Sequence, residues 1–228
     1  GLWFYNQLVP GEPVYNIPTV FRIRGPVSIL LLERSLQFIV DRHEVLRTKF
    51  STENNTPCQR ITSGSQFQLT RFALADNQES DLQTAITREF SRPFELTRDL
   101  MLRGALIQTS PEEHVLVLTT HHIAADGWSI SVLIKELSAH YSALSRGEEF
   151  RMPELPIQYV DFAAWQRELA SAGHWKNDLE YWVDKLSAPI ERLHWPSIQA
   201  QSKQPSTLKS TSGRSLIQYP GADVMERI

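Results

Sequence analysis

Apolar and charged residues alternate, and then recur at helical spacing, in the first part of the chain. The stretch VFRIRG (residues 20–25) alternates as a half-buried strand does, and apolar positions three and four residues apart follow from Ser28 onward, which predicts an amphipathic helix. The packed face of this helix consists of Leu32, Leu36, Ile39 and Val40. VLRTKF (residues 45–50) alternates again, and CQRI (residues 58–61) follows a polar segment, so the two are predicted to form a hairpin.

The middle of the chain places two strong strand patterns between predicted helices. SDLQTAITREF (residues 80–90) has helical spacing, whereas LRGALIQ (residues 102–108) and HVLVLTTHHI (residues 114–123) are predicted strands. Because the second strand is nearly continuous in apolar residues, we expect it at the centre of its sheet. A long amphipathic helix is predicted after Gly127, with Gly147 at its C-terminal end.

The last third of the chain begins with two aromatic-rich segments, YVDFAAWQRELAS and HWKNDLEYWVDKL, which predict helices. The polar, Ser-rich sequence beyond Trp195 predicts a mobile loop. Strands and helices in this order indicate an α/β unit in which helices pack against a mixed sheet. Because Gly1 is not an initiator Met and a short apolar-periodic segment ends the chain, we interpret it as a piece of a longer protein.

Composition changes this picture mainly by excluding partners. The 41% hydrophobic and 21% charged content is typical of a soluble globular protein. With 23 basic and 26 acidic residues the formal charge is -3, so neither nucleic acid nor a membrane is predicted as a partner. Cys58 is the only cysteine and can form no internal disulfide, which suits a reducing cytosol and predicts a cytoplasmic protein. No apolar run approaches the roughly 20 residues that span a bilayer.

The stretch HHIAADGWSI (residues 121–130) follows the strongest predicted strand and carries the candidate chemistry. Side chains alternate between the faces of a strand, so His121 and His122 are predicted to point in opposite directions. No metal site is predicted, since a chelating pair needs both imidazoles on one side. The catalytic interpretation makes one histidine a general base at an open cavity and the other a buried part of the scaffold.

The acidic residue and the glycine of this stretch have structural interpretations as well. Asp126 either orients the base, pairs with a cation that fixes the loop, or is the N-cap of the helix that follows. Gly127 permits a tight turn. The chain contains no nucleophile elbow, phosphate loop or dinucleotide fingerprint, and a base without a protein nucleophile predicts direct transfer between two bound substrates.

Four segments together resemble a known family. HHIAADG is similar to the HHxxxDG motif of the condensation domains of nonribosomal peptide synthetases, which belong to the chloramphenicol-acetyltransferase-like superfamily. GLWFYNQL resembles the first family motif without its beginning. RHEVLRTKF (residues 42–50) matches the second motif closely, and YVDFAAWQ (residues 159–166) matches the fourth. The matches occur in the family's order and run across most of the chain, so the resemblance implies an α/β fold of this superfamily.

The resemblance implies an acyltransferase that forms an amide bond. Upstream and downstream peptidyl carrier proteins would present thioester-bound groups on their own phosphopantetheine arms, so that the domain itself binds no cofactor. The acceptor amine then attacks the donor thioester. In the family the second motif histidine, here His122, is catalytic and either deprotonates or positions that amine, while His121 becomes the scaffold histidine.

The resemblance also assigns supporting roles. The family's motif aspartate is mainly structural and pairs with an arginine, so Asp126 is expected to pair with Arg42 or Arg47. Gly127 would keep the loop open to the pantetheine arm. Heterocyclisation domains replace the first motif histidine by Asp, which His121 does not match, and epimerisation domains carry a different sequence after Asp-Gly, where Trp128 and Ser129 resemble the condensation pattern. Within condensation domains we expect an L-configured donor.

Family domains have two lobes, and the later family motifs have no counterpart before Ile228. Residues 1–195 are therefore interpreted as the N-terminal lobe, and residues 196–228 as a polar loop and the start of the next region. The expected partners are the carrier proteins, adjacent synthetase domains and a C-terminal lobe, without which we expect no activity. Two alternatives stay open: a carrier-docking lobe without chemistry, and an ester-forming acyltransferase of the same superfamily.

Overall fold

A computed structural model of the chain describes residues 1–74 and 78–188. The chain divides into two compact units, Gly1–Trp175 and Lys176–Ile228. The helices of the first unit are α1 (Leu2–Leu8), α2 (Ile29–Arg42), α3 (Glu79–Ser91), α4 (Gly127–Ser145) and α5 (Tyr159–Ser171). Its strands are β1 (Asn16–Arg24), β2 (Thr48–Glu53), β3 (Thr56–Ile61), β4 (Leu69–Ala73), β5 (Leu102–Ser110) and β6 (Glu113–His121). In the second unit, α6 spans Lys176–Lys185. The predicted boundary between residues 195 and 196 and the polar loop after it lie outside the described residues.

A four-stranded mixed sheet in the order β1-β6-β5-β4 forms the centre of the first unit. β6 is antiparallel to both β1 and β5, whereas β4 is parallel to β5. The prediction of a mixed sheet with β6 at its centre is therefore confirmed. Every side chain of β6 from His114 to His121 is buried, because helices cover both faces of the sheet, and such strands carry near-continuous apolar sequence.

The alternation of β6 divides the core into two layers. Leu116 and Leu118 pack with Leu36 of α2 and Leu133 of α4 on one face of the sheet. Val115 and Val117 pack with residues of α3, including Leu82, on the opposite face. Because β6 packs on both faces and α4 packs through Leu133, the two ends of the loop that joins β6 to α4 are fixed in position.

The predicted strand over residues 45–50 is wrong in its first half. Glu44–Arg47 forms a short 3₁₀ helix, and β2 begins only at Thr48. The hydroxyl of Thr48 donates to the carbonyl of Glu44 at 2.8 Å, which closes the turn after α2. The hairpin of β2 and β3 is confirmed. None of the helices in the described part of the chain is long and apolar enough to cross a membrane.

Candidate active site

The HHIAADG stretch forms the connection between β6 and α4. His121 is the last residue of β6 and is 3% exposed, whereas the side chain of His122 is exposed. The backbone N–H of His122 donates to the carbonyl of Tyr15 at 2.8 Å, just before β1 begins. One histidine is thus buried and the other open, but His122 lies beyond the strand, so the turn and not strand alternation sets its direction.

His121 is held as a neutral imidazole. Its Nδ1 accepts a hydrogen bond from the backbone N–H of Ile123 at 3.0 Å, so in the neutral ring Nε2 carries the proton. The ring lies 6.3 Å from that of Tyr15 and 5.6 Å from that of Phe94, centroid to centroid. Burial, together with the charges of His122 and Arg103, lowers the pKa of His121 to about 4. At neutral pH this residue is therefore an uncharged part of the scaffold.

Asp126 is the N-cap of α4. Its Oδ1 accepts from the backbone N–H of Ser129 at 2.8 Å and from the Ser129 hydroxyl at 2.7 Å. Ser129 Oγ in turn accepts from the backbone N–H of Asp126 at 3.2 Å, which completes a capping box. These hydrogen bonds to Ser129 lower the pKa of the Asp126 carboxyl.

Gly127, the first residue of α4, does not have the left-handed backbone that would demand a glycine. The tight turn therefore does not explain this residue, contrary to the interpretation from sequence. A Cβ added at this position would have no heavy atom within 4 Å, so the space beside the loop is open.

The expected pairing of Asp126 with Arg42 is wrong for this structure. Arg42 Nε instead lies 3.2 Å from Glu136 Oε1, and its Nη1 donates to the carbonyl of Pro153 at 2.8 Å. Glu136 lies ten residues beyond Asp126, about 15 Å along the axis of α4 at 1.5 Å per residue, which explains why Arg42 does not reach the cap. With its side chain 13% exposed, Arg42 is held by these two partners and not by Asp126.

The second candidate arginine is also engaged elsewhere. Arg47 Nη2 lies 3.3 Å from Glu44 Oε1, and its Nη1 donates to the carbonyl of Thr62 at 2.9 Å. Within residues 1–74 and 78–188, the structure thus shows no ion pair between Asp126 and either arginine. The partner that the sequence interpretation assigned to the aspartate is replaced by the hydroxyl and amide of Ser129.

Sequence reasoning missed a buried polar network behind the loop. Glu136 is 5% exposed, and its Oε2 lies 2.7 Å from Nε2 of His43. Gln158, before α5, donates to the carbonyl of Arg42 and accepts from the backbone N–H of Glu44. The spacing of Glu136 could have indicated this network. The residue falls on the same helical face as the buried Leu133 and Leu137, where a carboxylate needs a partner.

A cavity of about 220 Å³ lies beside the loop. Its wall includes Ala124 and Ala125 of the loop, Trp128 of α4, and Ile39 and His43 from the end of α2. Trp128 is 81% exposed, so the indole lies largely in solvent. In the part of the chain that the structure describes, no three His, Cys, Asp or Glu side chains come together as a metal site would require.

Comparison with known proteins identifies the relatives of this chain. The family model of the Condensation domain matches residues 1–227. A linear gramicidin synthase protein of Brevibacillus parabrevis is 40% identical over 200 residues, which are 86% of this chain and 3% of that protein. Nonribosomal peptide synthetase TES of Alternaria alternata is 38% identical over 218 residues, 93% of this chain and 4% of that protein. The chain thus spans a few per cent of the length of these relatives.

Solved structures show the same fold. The starter condensation domain of rhizomide synthetase RzmA superposes with a TM-score of 0.74 at 23% identity, covering 83% of this chain and 46% of that one. The X-domain from teicoplanin biosynthesis, in its complex with OxyB, gives a TM-score of 0.73 at 30% identity over 82% of this chain and 42% of that one. The chain therefore corresponds to somewhat less than half the length of these domains.

Proposed function

The chain belongs to the condensation domains of nonribosomal peptide synthetases, and from this premise we propose that it forms one wall of an amide-forming active site. The donor is an aminoacyl or peptidyl thioester on one carrier protein, and the acceptor is the amine of an aminoacyl group on another. One observation carries the proposal: an exposed imidazole, His122, directly follows the buried, neutral His121 at the end of the central strand.

In the proposed reaction His122 is the general base. It removes a proton from the acceptor amine while the amine nitrogen attacks the carbonyl carbon of the donor thioester. The tetrahedral intermediate collapses, the C–S bond breaks, and the His122 imidazolium returns the proton to the departing thiolate, which leaves as the thiol of the donor carrier's pantetheine arm. One C–N bond replaces one C–S bond, and no protein nucleophile or redox partner is needed.

The surroundings of His122 suit a positioned base. Its backbone is fixed to Tyr15 on the side of β1, and the capping box of Asp126 and Ser129 fixes the other end of the loop. Such fixation matters because a misplacement of about 1 Å can lower a rate about 10²-fold. Asp126 thus acts on the loop and not on the imidazole.

The pantetheine arms belong to the carrier proteins and enter as part of the substrates. The open space beside Gly127 supports this loop as a place where an arm passes close to the backbone. We assign the remaining partners accordingly: upstream and downstream carrier proteins, the neighbouring synthetase domains and the second lobe of the condensation domain. His121 supports amide formation over heterocyclisation, and Trp128 with Ser129 supports condensation over epimerisation. We take the donor to be L-configured.

A protein-binding module is the second candidate. It is favoured by the 30% identical X-domain, whose structure was solved as a complex with OxyB. In that case the lobe would dock a carrier protein without catalysing a reaction on its cargo. The exposed His122 would then be dispensable, which separates this candidate from the first.

The deciding experiment is His122→Ala in the synthetase that contains this chain, with the exposed His174→Ala as the matched control. We expect the variant to form carrier-bound dipeptide about 10²-fold more slowly, the scale of a lost general base, while the control keeps the parent rate. A near-normal rate in His122→Ala would refute the base role. Amine and alcohol acceptors compared by intact-mass analysis of the loaded carrier would separate amide formation from ester formation.

A further inference from the structure

Arg103 of β5 holds the segment that leads to Phe94. Its Nη1 donates to the carbonyl of Pro93 at 2.8 Å, and its Nη2 donates to the carbonyl of Arg92. Asn16, at the start of β1, donates to the same Arg92 carbonyl at 2.9 Å. Side chains from two strands of the sheet therefore fix the backbone immediately before Phe94.

Phe94 lies between the guanidinium of Arg103 and the imidazole of His121. The guanidinium carbon stands 3.8 Å from the centroid of the Phe94 ring, in the geometry of a cation–π contact. The ring of His121 meets Phe94 at 75° with centroids 5.6 Å apart, which is an edge-to-face arrangement. Phe94 and His121 are 4% and 3% exposed, so both rings are largely enclosed by neighbouring side chains.

The orientation of the His121 ring is coupled to the turn that carries His122. The ring's Nδ1 accepts from the backbone N–H of Ile123, and the carbonyl of His121 accepts from the backbone N–H of Ala124 at 2.9 Å. Both hydrogen bonds span His122. A tilt of the imidazole would weaken the first bond and release the backbone on which His122 stands.

From this arrangement we propose that Arg103 is a positioning residue for His122, acting through Phe94 and His121. The role in catalysis rests on the proposed function, whereas the effect on the ring of His121 does not. Sequence reasoning gave Arg103 no role, because a lone arginine in a predicted strand carries no functional pattern.

Electrostatics support the same role. Protonation of His121 would place a proton on Nδ1, where it would face the N–H of Ile123 instead of accepting from it. Burial opposes this protonation most, and the charges of His122 and Arg103 add to it. The phenol ring of Tyr15 also lies against the imidazole. The pKa of Arg103 is itself lowered to about 10 by burial and by Arg92, so Arg103 keeps its charge at neutral pH.

The first test is made on the chain itself by NMR of the histidine rings. In Arg103→Met we expect the pKa of His121 to rise above its value of about 4 and the Nδ1 resonance to lose the signature of a hydrogen-bond acceptor. Arg24→Met, which removes an arginine that is 82% exposed on β1, is the matched control and should leave both unchanged. Phe94→Leu keeps the charge of Arg103 but removes the aromatic ring between Arg103 and His121. We expect it to disturb the tautomer of His121 as well.

The second test is kinetic and uses the synthetase that contains the chain. For Arg103→Met we expect kcat to fall on the order of 10- to 100-fold with KM for the loaded carriers unchanged, and the acid limb of the pH profile to move to higher pH. Arg103→Lys should recover part of kcat, because it restores the charge. A folded Arg103→Met with the parental His121 tautomer and the parental kcat would overturn the proposal. Failure of the His122→Ala test would instead remove the proposed function and leave the NMR result standing.

Discussion

Arg42 at the end of α2 lies against Glu136 of α4, with Nε 3.2 Å from Oε1. Both side chains are largely buried, at 13% and 6% exposure. The same carboxylate lies 2.7 Å from the imidazole of His43, so one buried anion serves two basic groups. This relationship, and not an ion pair at Asp126, connects the RHEVLRTKF segment to the helix that follows the candidate catalytic loop.

Removal of the Glu136 carboxylate should therefore destabilise the folded protein. We expect Glu136→Leu to lower the free energy of unfolding by about 3–5 kcal/mol, because it leaves the buried guanidinium of Arg42 unpaired. Adding Arg42→Met to this variant should restore part of the lost free energy of unfolding. Urea denaturation of the single and the double variant measures both effects. The exposed pair of Arg146 and Glu148 supplies the control, since Glu148→Leu should not move the midpoint measurably. Equal effects at Glu136 and Glu148 would contradict the role of the buried pair.

The N-cap at Asp126 should stabilise α4 independently of Arg42 and in a pH-dependent way. Asp126→Ala removes the acceptor for Ser129 and should destabilise the first turn of α4. Its pKa is lowered from the ordinary 3.8, so the cap contributes above pH 3.8 and the contribution is lost as pH falls through the lower folded value. In a double-mutant cycle, Asp126 and Arg42 should be additive, whereas Arg42 and Glu136 should couple. Coupling of Asp126 with Arg42 would restore the ion pair that the family resemblance implied.

The elements around the site were predictable because their patterns are local. β6 is recognisable from its continuous apolar run, and α4 from its spacing and from Gly147, which has φ +70° after the helix. α1 and β4 were not predicted. α1 buries no residue and β4 buries only Leu69, so neither has the periodicity that a packed face produces.

The partners within the site could not be predicted in the same way. That His121 is buried follows from the apolar pattern of β6, of which it is the last residue, whereas the exposure of His122 depends on the turn that follows. The contacts that fix His121 depend instead on the order of strands in the sheet, which brings Asn16 opposite His121 although the two are far apart in the sequence. Phe94 lies beside His121, and Arg103 and Asn16 hold the backbone just before it. Nothing in the spacing of these residues indicates the contact.

The buried His121 predicts that stability falls in mild acid. The unfolded chain binds a proton at this residue near pH 6.5, but the folded chain does so only near pH 4. The free energy of unfolding should therefore decrease as pH falls from 6.5 to 4, and His140, whose pKa is also lowered by burial, acts in the same direction. Urea unfolding at several pH values should show a smaller decrease for His121→Asn than for the exposed His174→Asn. An unchanged pH dependence in His121→Asn would show that His121 protonates equally in both states.

The open space at Gly127 allows a test of the loop that is independent of stability. Because an added Cβ meets no heavy atom within 4 Å and the backbone is not left-handed, Gly127→Ala and Gly127→Val should fold as the parent does. If a pantetheine arm passes this backbone, Gly127→Val should lower kcat/KM for the loaded carriers about 10-fold, with a smaller effect for Gly127→Ala. Ser138→Val, at an exposed position farther along α4, is the matched control. A parental kcat/KM in a folded Gly127→Val variant would mean that the arm takes another course, since the added side chain would then stand in space that no substrate uses.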